Sequence, residues 1–365
     1  MTIMMNAILH HSTRIGRGLL RMVLLAVMLV VGNRAMAYDF MADGLYYNVN
    51  EDDTTVSVTH EWGDDEFDQA AYNYIQGDVV IPSRVTHDGM TYTVTAIDKW
   101  AFYYCVELTS VEIPSTVTSI GVSAFYGCHV MTRVLIPASV TVIEEGAFYR
   151  CVALTAVSLP EGLTSLGDMS FAFCSGLTAI DFPESLTSIG DYAFYSCSGL
   201  TDVVIPHTVT HVGNGAFVFC YSLTSVVVGR SVDMLWFAFW GCDNVTSVTC
   251  YAETPPYMGL GVNGETQEKV YTFTDQVYRQ AVLYVPEGSV DAYKRANQWK
   301  NFTRILPIGT ILGDVNDDNE VTLADVNAVI GAVINMNYTS RQDVNGDGEV
   351  NLADVNALLD IILAE

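Results

Sequence analysis

A repeat solenoid of short parallel strands, followed by a small α-helical module, is the fold class this sequence predicts. Three observations predict it. The first is a beat of Ala-Phe-x-x-Cys, anchored on Phe102, Phe125, Phe148, Phe194, Phe217 and Phe239, with one variant, Ser-Phe-Ala-Phe-Cys, at Phe171 or its neighbour Phe173. Taking Phe171, the first six anchors stand 23 residues apart and the last step is 22; Cys105, Cys128, Cys151, Cys174, Cys197, Cys220 and Cys242 keep the same time. A fixed period this short means one supersecondary unit stacked on the next. The second is a proline at 114, 137, 160, 183 and 206, just past each apolar stretch. The third is an acidic segment near the C-terminus that repeats itself 29 residues on.

One repeat reads well from Val117 to Ser139. Met131, Val134 and Ile136 follow an L-x-x-L-x-L pattern, as do Leu108, Val111 and Ile113, and Leu200, Val203 and Ile205. Alternation places the second and third apolar residues inside and the residue between them outside, which predicts one short parallel strand per repeat. Proline then stops the strand and turns the chain. A buried phenylalanine is worth ~1.5–3 kcal/mol, so a ladder of them dominates the expected core. The seven cysteines share one apolar repeat position. They read as buried free thiols rather than disulfides, with Cys242 and Cys250 the one plausible pair.

Residues 38–93 do not carry the repeat. Leu45 to Val49 and Thr55 to Val58 alternate around Asp52-Asp53, as a hairpin does, and Thr91 to Ile97 alternates again after a turn at 87–89. This segment is the expected N-terminal cap. Residues 251–310 are the expected C-terminal cap. There Thr254-Pro255-Pro256 breaks the pattern, Ala281 to Val285 and Ile305 to Ile308 read as strands, and Ser289 is placed to N-cap a helix carrying Val290, Tyr293 and Ala296.

At the N-terminus, Arg14, Arg17 and Arg21 precede an apolar run from Met22 to Val31, and Ala35-Met36-Ala37 offers a cleavage site before Tyr38. The run is too short to span a bilayer, so residues 1–37 read as a secretory signal. No cysteine near the cleavage point suggests a lipid anchor, and no second stretch of spanning length follows. The expectation is a secreted or extracellular protein, possible cell-surface association included, without membrane insertion. After cleavage, 12 basic residues face 42 acidic ones, a balance of −30. That argues against nucleic acid and anionic membrane, and suits cation binding.

Over about 94–250 the repeat pattern resembles the BspA-type leucine-rich repeat family of bacterial surface proteins. The last repeat departs from it, being one residue short and carrying Gly229-Arg230-Ser231 where Ile-Pro is expected. The resemblance implies a noncatalytic binding surface and adhesion to a host or cell-surface protein or glycan.

From Ile311 onward there are eleven acids and one base, Arg341. Asp314, Asn316, Asp318, Thr322 and Asp325, and again Asp343, Asn345, Asp347, Asn351 and Asp354, stand at positions 1, 3, 5, 9 and 12 of a calcium loop of the EF-hand type, with the backbone carbonyls of Glu320 and Glu349 at position 7. Short oxygen-bearing side chains on a tight turn supply the six to eight oxygens that Ca²⁺ takes. Gly348 suits the sharp turn at position 6, where the first copy has Asn319, and Asp replaces the usual Glu at position 12. Two Ca²⁺ ions are expected. Val326, Val329, Ile330 and Val333, then Val355, Leu358, Leu359 and Ile362, follow at helical spacing. A duplicated loop–helix unit without an incoming helix resembles a type I dockerin domain. That resemblance implies capture by a cohesin-type domain on another protein, concentrated at loop positions 10 and 11, here Leu323, Ala324, Leu352 and Ala353. Members often place hydroxyl residues there, so the departure leaves the partner open. The two copies are nearly identical, and either is able to face it.

No H-E-x-x-H, G-x-S-x-G or phosphate loop occurs, and no enzyme is expected. His207 and His211 flank a repeat turn and read as structural. Glu61, Asp64, Asp65, Glu66 and Asp68, near Trp62, read as a solvated face of the cap. Two surfaces remain. The outward strand row is Glu112, Leu135, Ser158, Asp181, Val204, Val227 and Thr249, in which Val204 and Val227 make an apolar spot for partner binding. The residues after the repeat phenylalanines, Tyr103, Tyr126, Tyr149, Ala172, Tyr195, Val218 and Trp240, form an aromatic row read mainly as wall packing. The functional expectation is a secreted, noncatalytic adhesion protein. The alternative is a carbohydrate-binding component of a polysaccharide-degrading extracellular complex.

Overall fold

The computed structural model describes residues 38–61, 75–262, 269–316, 320–336 and 342–364. Residues 1–37, read above as a secretory signal, the acidic run beyond Glu61 and the loop residues Asp318 and Asn319 lie outside the described residues. Among those described, no helix is long and apolar enough to cross a membrane.

Most coils pass through two short strands, not the one expected. The strands Ser119–Ile120, Val142–Ile143, Ser165–Leu166, Ser188–Ile189, His211–Val212, Met234–Trp236 and Tyr257–Gly259 pair in parallel to form one sheet. The expected strands form the other side: Leu108–Glu112, Arg133–Leu135 and Ala156–Ser158, then Asp202–Val204, Ser225–Val228 and Ser247–Cys250. Between these two halves the coil carries only an isolated bridge, Asp181 to Ser158. The additional strands escaped the sequence reading because most are two residues long, and alternation has no meaning over two residues. Register is unshifted from coil to coil: Val142 faces Ser165, and Val203 faces Val226.

Unshifted register stacks like on like. Phe102, Phe125, Phe148, Phe171, Phe194, Phe217 and Phe239 form a buried column with centroids 5.0–5.4 Å apart and planes within 9° of parallel. Phe171 is the rung; Phe173 stands on the outer wall with a left-handed backbone (φ +62°). The column does not end with the repeat motif. Phe273 stacks on Phe239 at 5.3 Å as an eighth ring. The solenoid therefore runs past residue 250, through Tyr257–Gly259 and the strands Val282–Val285 and Arg304–Pro307.

Beside the rings runs a column of thiols. Cys128, Cys151, Cys174, Cys197, Cys220 and Cys242 each donate an S–H bond, at 3.0–3.3 Å, to the carbonyl of a phenylalanine in the preceding coil. All eight cysteines are free and buried. Cys242 and Cys250 are not paired; Cys250 Sγ instead accepts from the Tyr293 hydroxyl at 3.1 Å. Outside, threonine hydroxyls tie the corners. Thr164 and Thr187 each donate to the carbonyl of the threonine 23 residues earlier, as do Thr201 and Thr224 on the second side.

Both ends are closed. Leu45–Val49 and Thr55–Thr59 form the expected antiparallel hairpin, and Arg84–His87 pairs with Met90–Ile97 around Asp88-Gly89. Met90–Ile97 then lies parallel to Ser119–Ile120, so one strand belongs to cap and solenoid together. At the far end, side chains satisfy the carbonyls that the last coil leaves unpaired. Buried Gln298 donates to Met258 and Gly259 and accepts from the Thr272 amide and the Tyr278 hydroxyl. Trp299 Nε1 donates to Pro256, Tyr293 to Ala252, and Gln280 to Asp243 and Val245. Ser289 does not cap the helix Val290–Tyr293 as expected, because its hydroxyl donates to Glu253.

Truncating one ring, Phe148→Ala, should cost about 3–5 kcal/mol, measured by denaturant unfolding. A loss under about 1 kcal/mol would mean the column is not the core. The thiols give a second expectation. Burial pushes Cys128, Cys151, Cys174, Cys197, Cys220 and Cys250 above the ordinary thiol range. Unfolded thiols ionise near about pH 8.5, while the folded ones keep their protons. Stability is thus complete below about pH 8.5 and falls as pH rises beyond it. Native protein at pH 8 should resist alkylation, and denatured, unreduced protein should alkylate at all eight cysteines. Two or fewer reactive groups after denaturation would show disulfides instead.

Candidate functional site

Three surfaces carry the residues singled out in the sequence. The first is the outward row of the longer strands. Glu112 is level with Leu135, Leu135 with Ser158, and Ser158 with Asp181; beyond them Val204 faces Val227, and Val227 faces Thr249. Their neighbours Val203, Ile205, Val226 and Val228 are buried, so Val204 and Val227 point outward as expected. Val204 is 56% exposed and Val227 half-buried. The row is longer than the repeats. It continues through Tyr284 and Leu306, which follow Thr249 in register, and begins at exposed Val80, level with Glu112. The more apolar end of the row is therefore Val204, Val227, Tyr284 and Leu306, with the hydroxyl of Thr249 among them. Sequence reasoning missed its last two members because they stand in the cap, beyond the period.

The second surface is the aromatic wall. Ala172 and Val218 leave no gap in it, since both are buried and the next residue fills the place. Tyr103, Tyr126, Tyr149, Phe173, Tyr195, Phe219 and Trp240 run unbroken, with centroids 4.6–5.5 Å apart. The Arg150 guanidinium lies over Tyr149 and Phe173. The rings spend their faces and edges on one another, so the wall is chiefly packing. Burial, with Tyr126 and Tyr104 beside it, pushes the Tyr103 phenol up to about 12.

The third is the acidic tail. Helices Leu323–Asn335 and Leu352–Ala364 bury Val326, Val329, Val355 and Leu358 against Val315 and Val344, in a core distinct from that of the solenoid. Both position-12 aspartates are buried at helix starts. Asp325 accepts from the amides of Val315, Asn316 and Thr322, and Thr322 accepts from Ala324, closing a capping box. Asp354 accepts from Asn345 and Asn351. In the second loop, Asp343 accepts from Gly346, Asp347 and Gly348, Asn345 from Asp347, and Asp347 from Glu349. Burial and the charges of Asp354 and Asp347 raise the Asp343 pKa, against the pull of the Gly348 and Gly346 amides. The donor set is oxygen throughout, as a hard cation requires, and its mutual repulsion is of the kind a cation relieves. Among the described residues, no three His, Cys, Asp or Glu side chains are yet gathered into a metal site. Leu323, Ala324, Leu352 and Ala353 are exposed, and Ile330 and Ile334 extend the first exposed apolar stripe along its helix.

The tail has its own core, yet it touches the solenoid. Arg304, in the last strand, donates from Nη2 to Gln280 and from Nη1 to Val344 in the second loop. Gly346, at φ +74°, leaves no space for a Cβ beside the Arg304 side chain. Burial lowers the Arg304 pKa, while Tyr284 and Asp343 hold it up.

Residues 95–224 and 141–254 match the family described as BspA type Leucine rich repeat region, in six copies. The solenoid is a BspA-type leucine-rich repeat region. No curated protein matches the chain. Among solved structures it is similar to a leucine-rich repeat protein of T. pallidum, at 30% identity over 57% of this chain and 80% of that one, with a TM-score of 0.40. It is similar also to a leucine-rich repeat protein from Bacteroides ovatus, at 22% identity over 70% of this chain and 80% of that one, TM-score 0.36. A third is a leucine rich cell surface protein from Faecalibacterium prausnitzii, at 20% identity over 74% and 95%, TM-score 0.41.

Within the BspA-type region the signal was the period; at its ends, no periodic signal existed to find. The contact with the tail gives a testable expectation. Gly346→Ala forces a side chain into a left-handed backbone and against Arg304, which should loosen the tail by about 1–2 kcal/mol. Limited proteolysis between the solenoid and residue 314 should quicken, and adding Arg304→Ala should restore part of the resistance. Unchanged cleavage in Gly346→Ala would mean the tail does not rest on Arg304.

Proposed function

We propose that this is a secreted, noncatalytic binding protein with two working surfaces: the solenoid captures a macromolecular ligand, and the acidic tail docks it to another protein. The observation that carries the reading is the outward row ending in Val204, Val227, Thr249, Tyr284 and Leu306, a mostly apolar stripe held on a rigid sheet. Apolar surface contiguous over several strands marks an interaction site on a soluble protein. A host or cell-surface protein is the ligand class that suits it.

The tail reading rests on its donor set. Asp314, Asn316, Asp318, Thr322 and Asp325, with the Glu320 carbonyl, would hold one Ca²⁺. Asp343, Asn345, Asp347, Asn351 and Asp354, with the Glu349 carbonyl, would hold the second. Bound calcium would supply positive charge that offsets carboxylate repulsion and fixes each loop at its helix start. The exposed Leu323, Ala324, Leu352 and Ala353 are then the surface offered to a cohesin-type domain.

Two outcomes are expected. Val204→Asp with Val227→Asp should cut capture of matrix or cell-surface proteins at least tenfold and leave the melting temperature nearly unchanged, since neither side chain serves the core. Undiminished capture would remove the strand row from the function. Calorimetric titration of residues 38–365 should find two Ca²⁺ sites, lost in Asp314→Ala with Asp343→Ala. Chelator should abolish capture by a cohesin-type domain without weakening ligand capture by the solenoid. A tail that binds no calcium would overturn the docking half of the proposal.

A further inference from the structure

We propose that the last two coils of the shorter-strand sheet carry a binding site for a neutral oligosaccharide, formed by Trp236 and Tyr257 with the cleft beside them. The proposal rests on reading the solenoid as a binding module, and places this site on a different sheet from Val204 and Val227.

The first observation is a broken repeat rule. The residue after the buried apolar position of this strand is glycine at 121, 167, 190, 213 and 259, and Glu144 in one full-length coil. At Gly121, Gly167, Gly190 and Gly213 an added Cβ would strike the backbone of the preceding coil. Trp236 stands at this position. The residue missing from the last repeat is lost here, because Gly213-Asn-Gly-Ala-Phe217 becomes Trp236-Phe-Ala-Phe239. The chain thus drops a residue where it seats a tryptophan that lies outside the buried core and is 38% exposed.

The second is the state of the rings. Leu235 and Met258 face each other and are buried, so Met234, Trp236 and Tyr257 project outward together. Gly259 lies opposite Trp236, and a Cβ there would meet three indole atoms at 2.7 Å. One indole face therefore lies on the sheet, which leaves the other turned to solvent. Tyr257 is 57% exposed. Among the described residues, no other ring packs on either, unlike the wall, where every ring is engaged.

The third is the cleft, about 530 Å³, lined by Arg230, Ser231, Asp233, Tyr251, Glu253 and Thr254 among others. It opens at the start of the same two strands. Asp233 precedes Met234, and the Tyr257 amide donates to the Asp233 carbonyl at 2.8 Å. Tyr251 is exposed, steadied on one side by the His207 ring. A pyranose has apolar C–H faces and a rim of hydroxyls. Open aromatic faces suit the first, and carboxylates, a guanidinium and hydroxyls suit the second. Two carboxylates against one guanidinium, on a chain of net charge −26, disfavour an acidic sugar.

Native affinity electrophoresis of residues 38–365 through soluble mixed-linkage β-glucan, xylan and galactomannan, with polygalacturonate as the acidic control, tests this. Retardation by at least one neutral polymer and none by polygalacturonate is expected. Trp236→Ala and Tyr257→Ala should each weaken it at least tenfold. Both side chains are exposed, and an unshifted melting temperature identifies folded variants; should Trp236→Ala not fold, Tyr257→Ala decides alone. Val204→Asp with Val227→Asp should leave retardation unchanged, which separates this site from the strand row. The proposal is overturned by no retardation in any neutral polymer, by full retardation of the Tyr257→Ala variant, or by loss of retardation in Val204→Asp with Val227→Asp at an unshifted melting temperature.

Discussion

Register between coils is the constraint on which this molecule depends. Each coil lays its strands in parallel on the one before without shift, so every position meets its own counterpart about 23 residues away. Rings then stack on rings, thiols point to the same carbonyl each time, and threonines tie to threonines. No single contact is strong. An aromatic pair adds about 0.5–1.5 kcal/mol beyond area burial, and a thiol is a weak donor. The strength lies in repetition, and the same repetition leaves the outward positions free of structural duty. They are the positions that can vary with function.

A solenoid must also end. An exposed edge strand presents unpaired backbone groups and invites association. At the C-terminal end the answer lies in side chains: Gln298, Trp299, Tyr293, Gln280 and Ser289 reach back to carbonyls of the last coils. Gln298 is instructive, being almost fully buried with each half of its amide engaged twice. Beyond it, Arg304 carries the last strand onto the second acidic loop, so the tail has a place to rest as well as a core of its own.

Much of this was legible in the sequence, because periodicity is a signal that many residues report together. The phenylalanine column, the choice of Phe171 over Phe173, the buried thiols and the outward aim of Val204 and Val227 all follow from the beat and from alternation. The second strand of each coil was not legible, since two residues carry no alternation. Phe273, Tyr284 and Leu306 were missed for a different reason. They continue the column and the outward row in space, after the chain has left the period. Ser289 had the residue type of a cap, but a nearby carbonyl claimed its hydroxyl. Ala172 and Val218 were read as members of the wall, but they are buried and Phe173 and Phe219 take their places from the neighbouring left-handed position.

A repeat protein offers an unusual control for reading function, because each coil is an experiment on the others. Where the backbone of the preceding coil comes close, four coils carry glycine, and a fifth carries Glu144 without changing length. The coil that carries Trp236 shortens itself and accommodates a large exposed ring instead. Core packing cannot account for that, since the ring lies outside; nor can the wall, since among the described residues no neighbouring ring meets it. The two calcium-type loops follow the same logic on a smaller scale. Both copies keep a buried aspartate at the helix start and an exposed leucine two residues before it, although helix capping alone would not require the leucine. In each case an exposed apolar or aromatic residue is kept that neither the core nor the cap demands.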